Sequence, residues 1–492
     1  MSDTITTATS TAIKVEMQGT DIIAEADRKG KARGLFWPWF ASNISVFGIC
    51  NGAFILAFGV SFWQATLASV VGVVFSFFLC GAVAVAGKRG SAPTMVLSRA
   101  AMGVNGNRVA PVLSWILTVG WETVLTAMAT MATATVFTKL GWGGGTPTKI
   151  VALVIIAGLI VAGGIIGFDM IMRMQTVITI VTAVLTIGYI MLTVNKIHLS
   201  ALTALPNGSF AMVIGAAIMA MTAFGMGWVN EAADYSRYLP RKTPSAGVVG
   251  WTTFGAAMPV VILVFYGILL TGSDETLATA IGNYDPIGAL TDVLPTWYLV
   301  PFGLVAILGL VGGAVMDIYS SGLALVSTGL PIKRPVAAAI DGVIMTAGTI
   351  YIVFGPDTFF TIFQGFLITL GVPIAAWAGI MLADVLMRKA DYDAVDLFNP
   401  QGRYGSVPPF PLTLLLVSTV IGWGLVVNQY ATWLSWQGYF MGILGGKDGS
   451  WAYANLGVVV ALALSFVATL IVRRGAVTQQ ESLPLSTLGG IA

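Results

Sequence analysis

Apolar residues along this chain gather in long blocks, and short polar stretches separate them. The blocks fall at roughly 36–60, 65–87, 109–137, 149–166, 168–194, 208–233, 246–272, 295–328, 334–354, 358–386, 411–429 and 452–473. A helix needs about 20 mostly apolar residues to cross a bilayer. The pattern predicts an all-α polytopic membrane protein with twelve transmembrane helices. The fourth and fifth blocks part at Gly167–Asp169. The eighth and tenth are long enough to include loop residues. The organisation expected is a cytoplasmic tail over 1–35, a twelve-helix domain over 36–474 and a second cytoplasmic tail over 475–492.

Composition supports this reading. Of 492 residues, 57% are hydrophobic and only 9% are charged. A soluble domain carries about 25% charged residues, so a soluble enzyme is excluded. Net charge is +2, which gives no sign of a nucleic-acid partner. Position along the chain says more. With the N-terminus inside, all but Lys139, Lys149, Lys196 and Lys447 of the 24 bases fall in cytoplasmic pieces. That bias obeys the positive-inside rule and places both termini in the cytoplasm of a multi-pass plasma-membrane protein. The first 35 residues are polar and lack the short apolar core of a cleaved signal. Cys50 and Cys80 lie inside apolar blocks and read as small core residues. One histidine, His198, excludes a histidine-rich metal site, and no cofactor or metal centre is expected. An external loop carrying Asp274, Glu275, Asp285 and Asp292 reads as a solvated acidic loop or as a cation-attracting vestibule.

The chemistry lies where polar groups interrupt the blocks. Ser42, Asn43, Ser45, Gly48, Asn51 and Gly52 break the first block. Gly225, Gly227 and Asn230 weaken the sixth, beside the stacking surfaces Phe224 and Trp228. Non-helical backbone at membrane depth is tolerated only where it lines a cavity or is buried in protein. Paired interruptions in two halves point to a transporter's central site. The alternative is plain helices packed through small residues. Trp121, beside Gly120 in mid-block, reads as a stacking platform or as a core tryptophan. Glu122 lies about 100° further round the helix, where another helix is a natural neighbour. Glu122, Glu231, Asp234 and Asp317 are acids at membrane depth, and such groups are functional by default. Asp341 and Asp384 sit nearer helix ends, where the interface is within reach. Gly309, Gly313 and Asp317 share one face of the eighth helix. Asp317 could carry a proton there or simply bond a neighbouring broken helix.

Several segments resemble signatures of the nucleobase:cation symporter-1 family, purine–cytosine permease branch. They are Ala233-Asp-Tyr-Ser-Arg-Tyr-Leu-Pro240, Gly120-Trp121, Pro373-Ile-Ala-Ala-Trp-Ala-Gly-Ile-Met-Leu-Ala-Asp384 and the loop from Gly87 to Gly103. The resemblance spans roughly residues 30–475. It implies a five-plus-five inverted repeat (LeuT-like) followed by two C-terminal helices. It implies a permease, not an enzyme, importing a small planar nucleobase such as cytosine or a purine by cation symport. The base would stack between Trp121 and either Phe224 or Trp228. Asn43, Ser45 and Gly225 would supply polar partners, with Gln364 a weaker candidate. Asp234 and Arg237 can pair at i, i+3 and fit a structural or gating role.

One departure bears on the ion. Sodium-coupled relatives carry two hydroxyl side chains on helix eight, and Gly312 and Gly313 stand at those positions here. Glycine offers no side-chain oxygen, while a hard cation needs several. Protons become the favoured coupling ion, with Asp317, Glu122 or Glu231 as carriers. A register slip onto Ser320 and Ser321 would restore the hydroxyls. Remaining alternatives are sodium coupling, another N-heterocycle (allantoin, a hydantoin or a vitamin precursor), a channel, or a membrane-embedded enzyme.

Overall fold

The computed structural model describes residues 15–17, 19–282, 285–355, 359–428, 431–484 and 486. Helices dominate it, and no strand occurs among the described residues. The spans are α1a (Phe36–Asn43) with α1b (Phe47–Leu56), α2 (Phe62–Gly90), α3 (Val109–Lys139), α4 (Thr146–Ile166) and α5 (Phe168–Thr193). The second set is α6a (Phe210–Ala223) with α6b (Gly225–Trp228), α7 (Ser245–Thr271), α8 (Leu299–Ser327), α9 (Arg334–Phe354) and α10 (Phe359–Met387). Then follow α11 (Pro409–Trp423) and α12 (Leu456–Ser482). Among the described residues, ten helices are long and apolar enough to cross a membrane, and the pair α1a and α1b adds an eleventh span. α11 is apolar but shorter, which accounts for the twelfth expected block.

Local chemistry explains the ends. Gly167, at φ +101°, ends α4 and starts α5 at the split expected from the sequence. Ser61 and Gln64 form a reciprocal cap at the start of α2. Two boundaries differ from expectation. α11 stops at Trp423, where Gly424 lets the chain turn into a long loop. α12 continues through Ser482, so the first part of the segment read as a C-terminal tail, 475–482, is helix. That extension is held by polar contacts with the α10–α11 loop, where Arg403 bonds the Gln480 carbonyl and Asp396.

α3 packs along α8, α2 along α7 and α10 along α12. Small residues allow the closest approaches. An added Cβ at Gly52 would lie 2.3 Å from the backbone of Gly267 on α7. Both ends of the described chain lie at the same end of the bundle. Glu25 and Asp391 both reach Arg241 there, and Ser486 N–H donates to Asp393. The acidic loop after α7 is mostly structural: Asp274 and Asp285 cap short helices, and Asp292 pairs with Lys139.

Candidate functional site

The two breaks set the geometry. α1 bends by 67° across Ile44–Val46. Ser45 Oγ accepts from Phe47 N–H at 3.3 Å, which starts α1b. Asn43 donates its amide to the Trp39 carbonyl at 2.9 Å and to Ser42 Oγ at 3.0 Å, which closes α1a. α6 breaks at Phe224, whose φ of −122° and ψ of −101° are not helical. Gly225 follows, and a Cβ there would lie 2.4 Å from the Ser76 carbonyl carbon on α2. Gly225 therefore serves close helix packing and does not line the cavity described next.

A cavity of about 60 Å³ lies between the breaks, lined among others by Ser42, Asn43, Ser45, Trp121, Phe224, Trp228 and Asp317. Trp121, Ala223 and Gly227 also wall a larger cavity of about 560 Å³. Its rim is formed by Phe58, Met212, Tyr453 and Asn455, at the end of the bundle away from the chain termini. Trp121 meets Phe363 edge to face at 5.2 Å, and Trp228 meets Trp39 in the same way at 5.7 Å. These contacts fix both indoles, which flank the small cavity with Phe224. Gln364 lies outside the residues whose side chains are described.

The other end is closed. Glu16 accepts from Arg237 at 3.0 Å, from Tyr238 at 2.5 Å, from Tyr319 at 3.2 Å and from the Phe168 N–H at 2.7 Å. Arg334 donates to the carbonyls of Glu16 and Gly164. Arg237, which the sequence allowed as a partner of Asp234, thus makes its ion pair with Glu16. Asp234 instead accepts from Thr94, through N–H at 2.7 Å and Oγ1 at 2.8 Å.

The membrane-depth acids separate into two groups. Asp317 lines the small cavity, and Glu231 interacts with it from the inner half of α6. Glu122 turns away from Trp121 toward Ser321, which donates to Asp341 at 2.9 Å; Trp115 Nε1 also donates to Asp341, at 2.7 Å. Glu122, Glu231 and Asp317 are all buried, and no basic group is among those that act on them. Both oxygens of Glu122 and of Glu231, and one of Asp317, find no hydrogen-bond partner among the described residues. Asp341 and Asp384 are both buried within the protein, and Asp384 pairs with Arg388 at 2.7 Å.

The α8 glycines face the α1 break. A Cβ on Gly309 would lie 2.9 Å from the Ile44 carbonyl oxygen, and one on Gly312 2.9 Å from that of Ala41. Gln175 on α5, which sequence reasoning did not single out, donates its amide to the Gly312 carbonyl at 2.6 Å. Ser320 and Ser321 face Tyr235 and Asp341 instead.

A helical membrane protein whose first and sixth spans break beside one aromatic and polar cavity has the architecture of a secondary transporter. The family described as permease for cytosine/purines, uracil, thiamine, allantoin matches residues 22–452, and the chain belongs to it. A Bacillus subtilis (strain 168) protein named as a purine-cytosine permease, YxlA, is 23% identical over 92% of this chain and 96% of its own. The fold is similar to that of Mhp1, a nucleobase-cation-symport-1 family transporter, in a closed conformation with bromovinylhydantoin bound. That likeness has a TM-score of 0.70 at 16% identity and covers 96% of this chain and 97% of the other. An outward-open sodium-coupled sialic acid symporter follows at TM-score 0.59 and 11% identity, covering 91% of each chain. The fold is thus the five-plus-five architecture with two helices added, as expected.

Proposed function

We propose that this permease imports a planar nucleobase, cytosine or a purine, by proton symport and alternating access. The observation that carries the reading is the cavity between the two helix breaks, where Trp121, Phe224 and Trp228 stand around a carboxylate, Asp317. Indole and phenyl faces stack on flat heterocycles, and the polar edge of a base needs donors and acceptors placed beside them. Asn43 and Ser45 supply those at the α1 break, and Trp121 with Phe224 or Trp228 supplies the stack. The bias of basic residues toward the terminus-bearing end puts that end in the cytoplasm. The larger cavity then opens outward, and the Glu16 cluster closes the inner end. Transport would rock α1, α2, α6 and α7 against the other spans around the central cavity.

Proton coupling is supported by the α8 glycines, which bring no hydroxyl to the α1 break, and by Ser320 and Ser321, which are engaged elsewhere. The donor that Gln175 places against Gly312 fills part of that space. The carriers proposed are Asp317, Glu231 and Glu122. Sodium coupling is favoured by one observation: Gln175 Oε1 has no donor among the described residues and, like the Ala41 carbonyl oxygen, borders the space beside Gly312. Another N-heterocycle, such as allantoin or a hydantoin, is the alternative cargo. A competition panel of cytosine, adenine, uracil, allantoin and hydantoins against the purified protein tests the substrate. Displacement by cytosine or a purine is expected, and silence toward every base contradicts the reading.

A further inference from the structure

Asp317 and Glu231 stand on parts of the molecule that alternating access would move apart. Asp317 is on α8, in the body that carries α3 and α9. Glu231 is on the short turn that ends α6, next to the break. Both are buried, and they interact directly. Glu122 faces them from α3, Cys80 faces Glu231 from α2, and Asp234 and Tyr235 adjoin them on α6. Asp341 lies beyond, against Glu122. None of these groups is a base; Arg237 acts on Asp234 and is itself engaged by Glu16. Two buried carboxylates that act on each other, with no cation among the described residues beside them, do not both ionise readily.

We propose that Glu231 and Asp317 hold a single proton between them, and that this shared proton is the coupling ion. It joins the inner half of α6 to α8 at the floor of the substrate cavity. Loading transfers one proton from cavity water to a carboxylate oxygen of the pair. Opening of the inner end draws α6 from α8, exposes the pair to cytoplasmic water and returns the proton there. No electron moves and no other reactant takes part. Glu122 and Asp341 lie on α3 and α9, in one body with α8, and Ser321 on α8 donates to Asp341 beside Glu122. Rocking of α6 against that body would leave their spacing unchanged, so they do not carry the proton across. The inference rests on the proton-coupled reading and narrows its three carriers to one pair.

The test has two readouts on the full-length protein in lipid. Infrared difference spectra at neutral pH count protonated carboxyls without any substrate. One shared proton predicts that Asp317→Asn and Glu231→Gln each leave the wild-type number, because the remaining acid keeps the proton, and that the double variant loses one. Loss of one in each single variant and two in the double, or loss of none in any variant, overturns the shared proton. In vesicles preloaded with cytosine or adenine, Glu231→Gln should retain exchange of the labelled base and lose accumulation driven by a pH gradient, and Asp317→Asn should lose that accumulation too. Wild-type accumulation in Asp317→Asn or Glu231→Gln would overturn the pair's role. If the wild type transports no base at all, or accumulates one on a sodium gradient alone, the broader reading fails while the infrared count still decides on the shared proton.

Discussion

At the scale of single residues, Trp121 and Glu122 show how neighbours in sequence divide the labour. Trp121 walls the cavity, while Glu122, one position on, meets Ser321 inside the protein. Stacking of a base on an aromatic ring is worth about 1–3 kcal/mol. Trp121→Ala should therefore weaken base binding by roughly 5- to 150-fold with normal membrane insertion, as read by equilibrium binding. Unchanged affinity would remove Trp121 from the site. The residue types were legible in the sequence, because an acid or a tryptophan in an apolar block stands out. Their partners were not legible. The facing of Glu122 toward Asp341 depends on how α3 and α9 are rotated, and the apolar residues spread too evenly round these helices to reveal it. Gln175 escaped notice for a similar reason. One uncharged amide in a span gives a weak signal until the Gly312 carbonyl is seen beside it.

At the scale of elements, both broken helices could be read from clusters of Gly, Ser and Asn. The reason for each glycine could not. The resemblance makes Gly225 a candidate polar partner of the substrate, and the structure sets it against Ser76 on α2. Gly225→Ala should destabilise the purified protein by about 1–3 kcal/mol through overpacking. A thermal-unfolding comparison would show it as a lowered midpoint; an unchanged midpoint would contradict the packing role. Helix ends were less legible than helix centres. Hydropathy falls along α12 at Arg473 and Arg474, but the helix continues because Gln480 and Glu481 find partners in the loop after α10.

At the scale of the whole molecule, the N-terminal segment is part of the inner closure. Glu16 links Arg237 and Tyr238 at the end of α6 to Tyr319 on α8 and to the α4–α5 corner. In sequence these residues are scattered over three hundred positions, so the polar tail showed no sign of the contact. Arg237 is fully buried, and removing one partner of a buried ion pair costs about 3–5 kcal/mol. Glu16→Ala should therefore shift the population toward an inner-open state. Hydrogen exchange at amides 233–239 should speed up, and an unchanged rate would show that the segment does not hold the closure.

The central claim is that a proton gradient drives uptake of a nucleobase through the cavity between the two breaks. Its most direct test is uptake of labelled cytosine and adenine into vesicles holding the purified protein, with a pH gradient or a sodium gradient imposed alone. The account predicts uphill accumulation on the pH gradient without sodium, and its collapse on adding a protonophore. Strict sodium dependence, or no accumulation of either base, would contradict it.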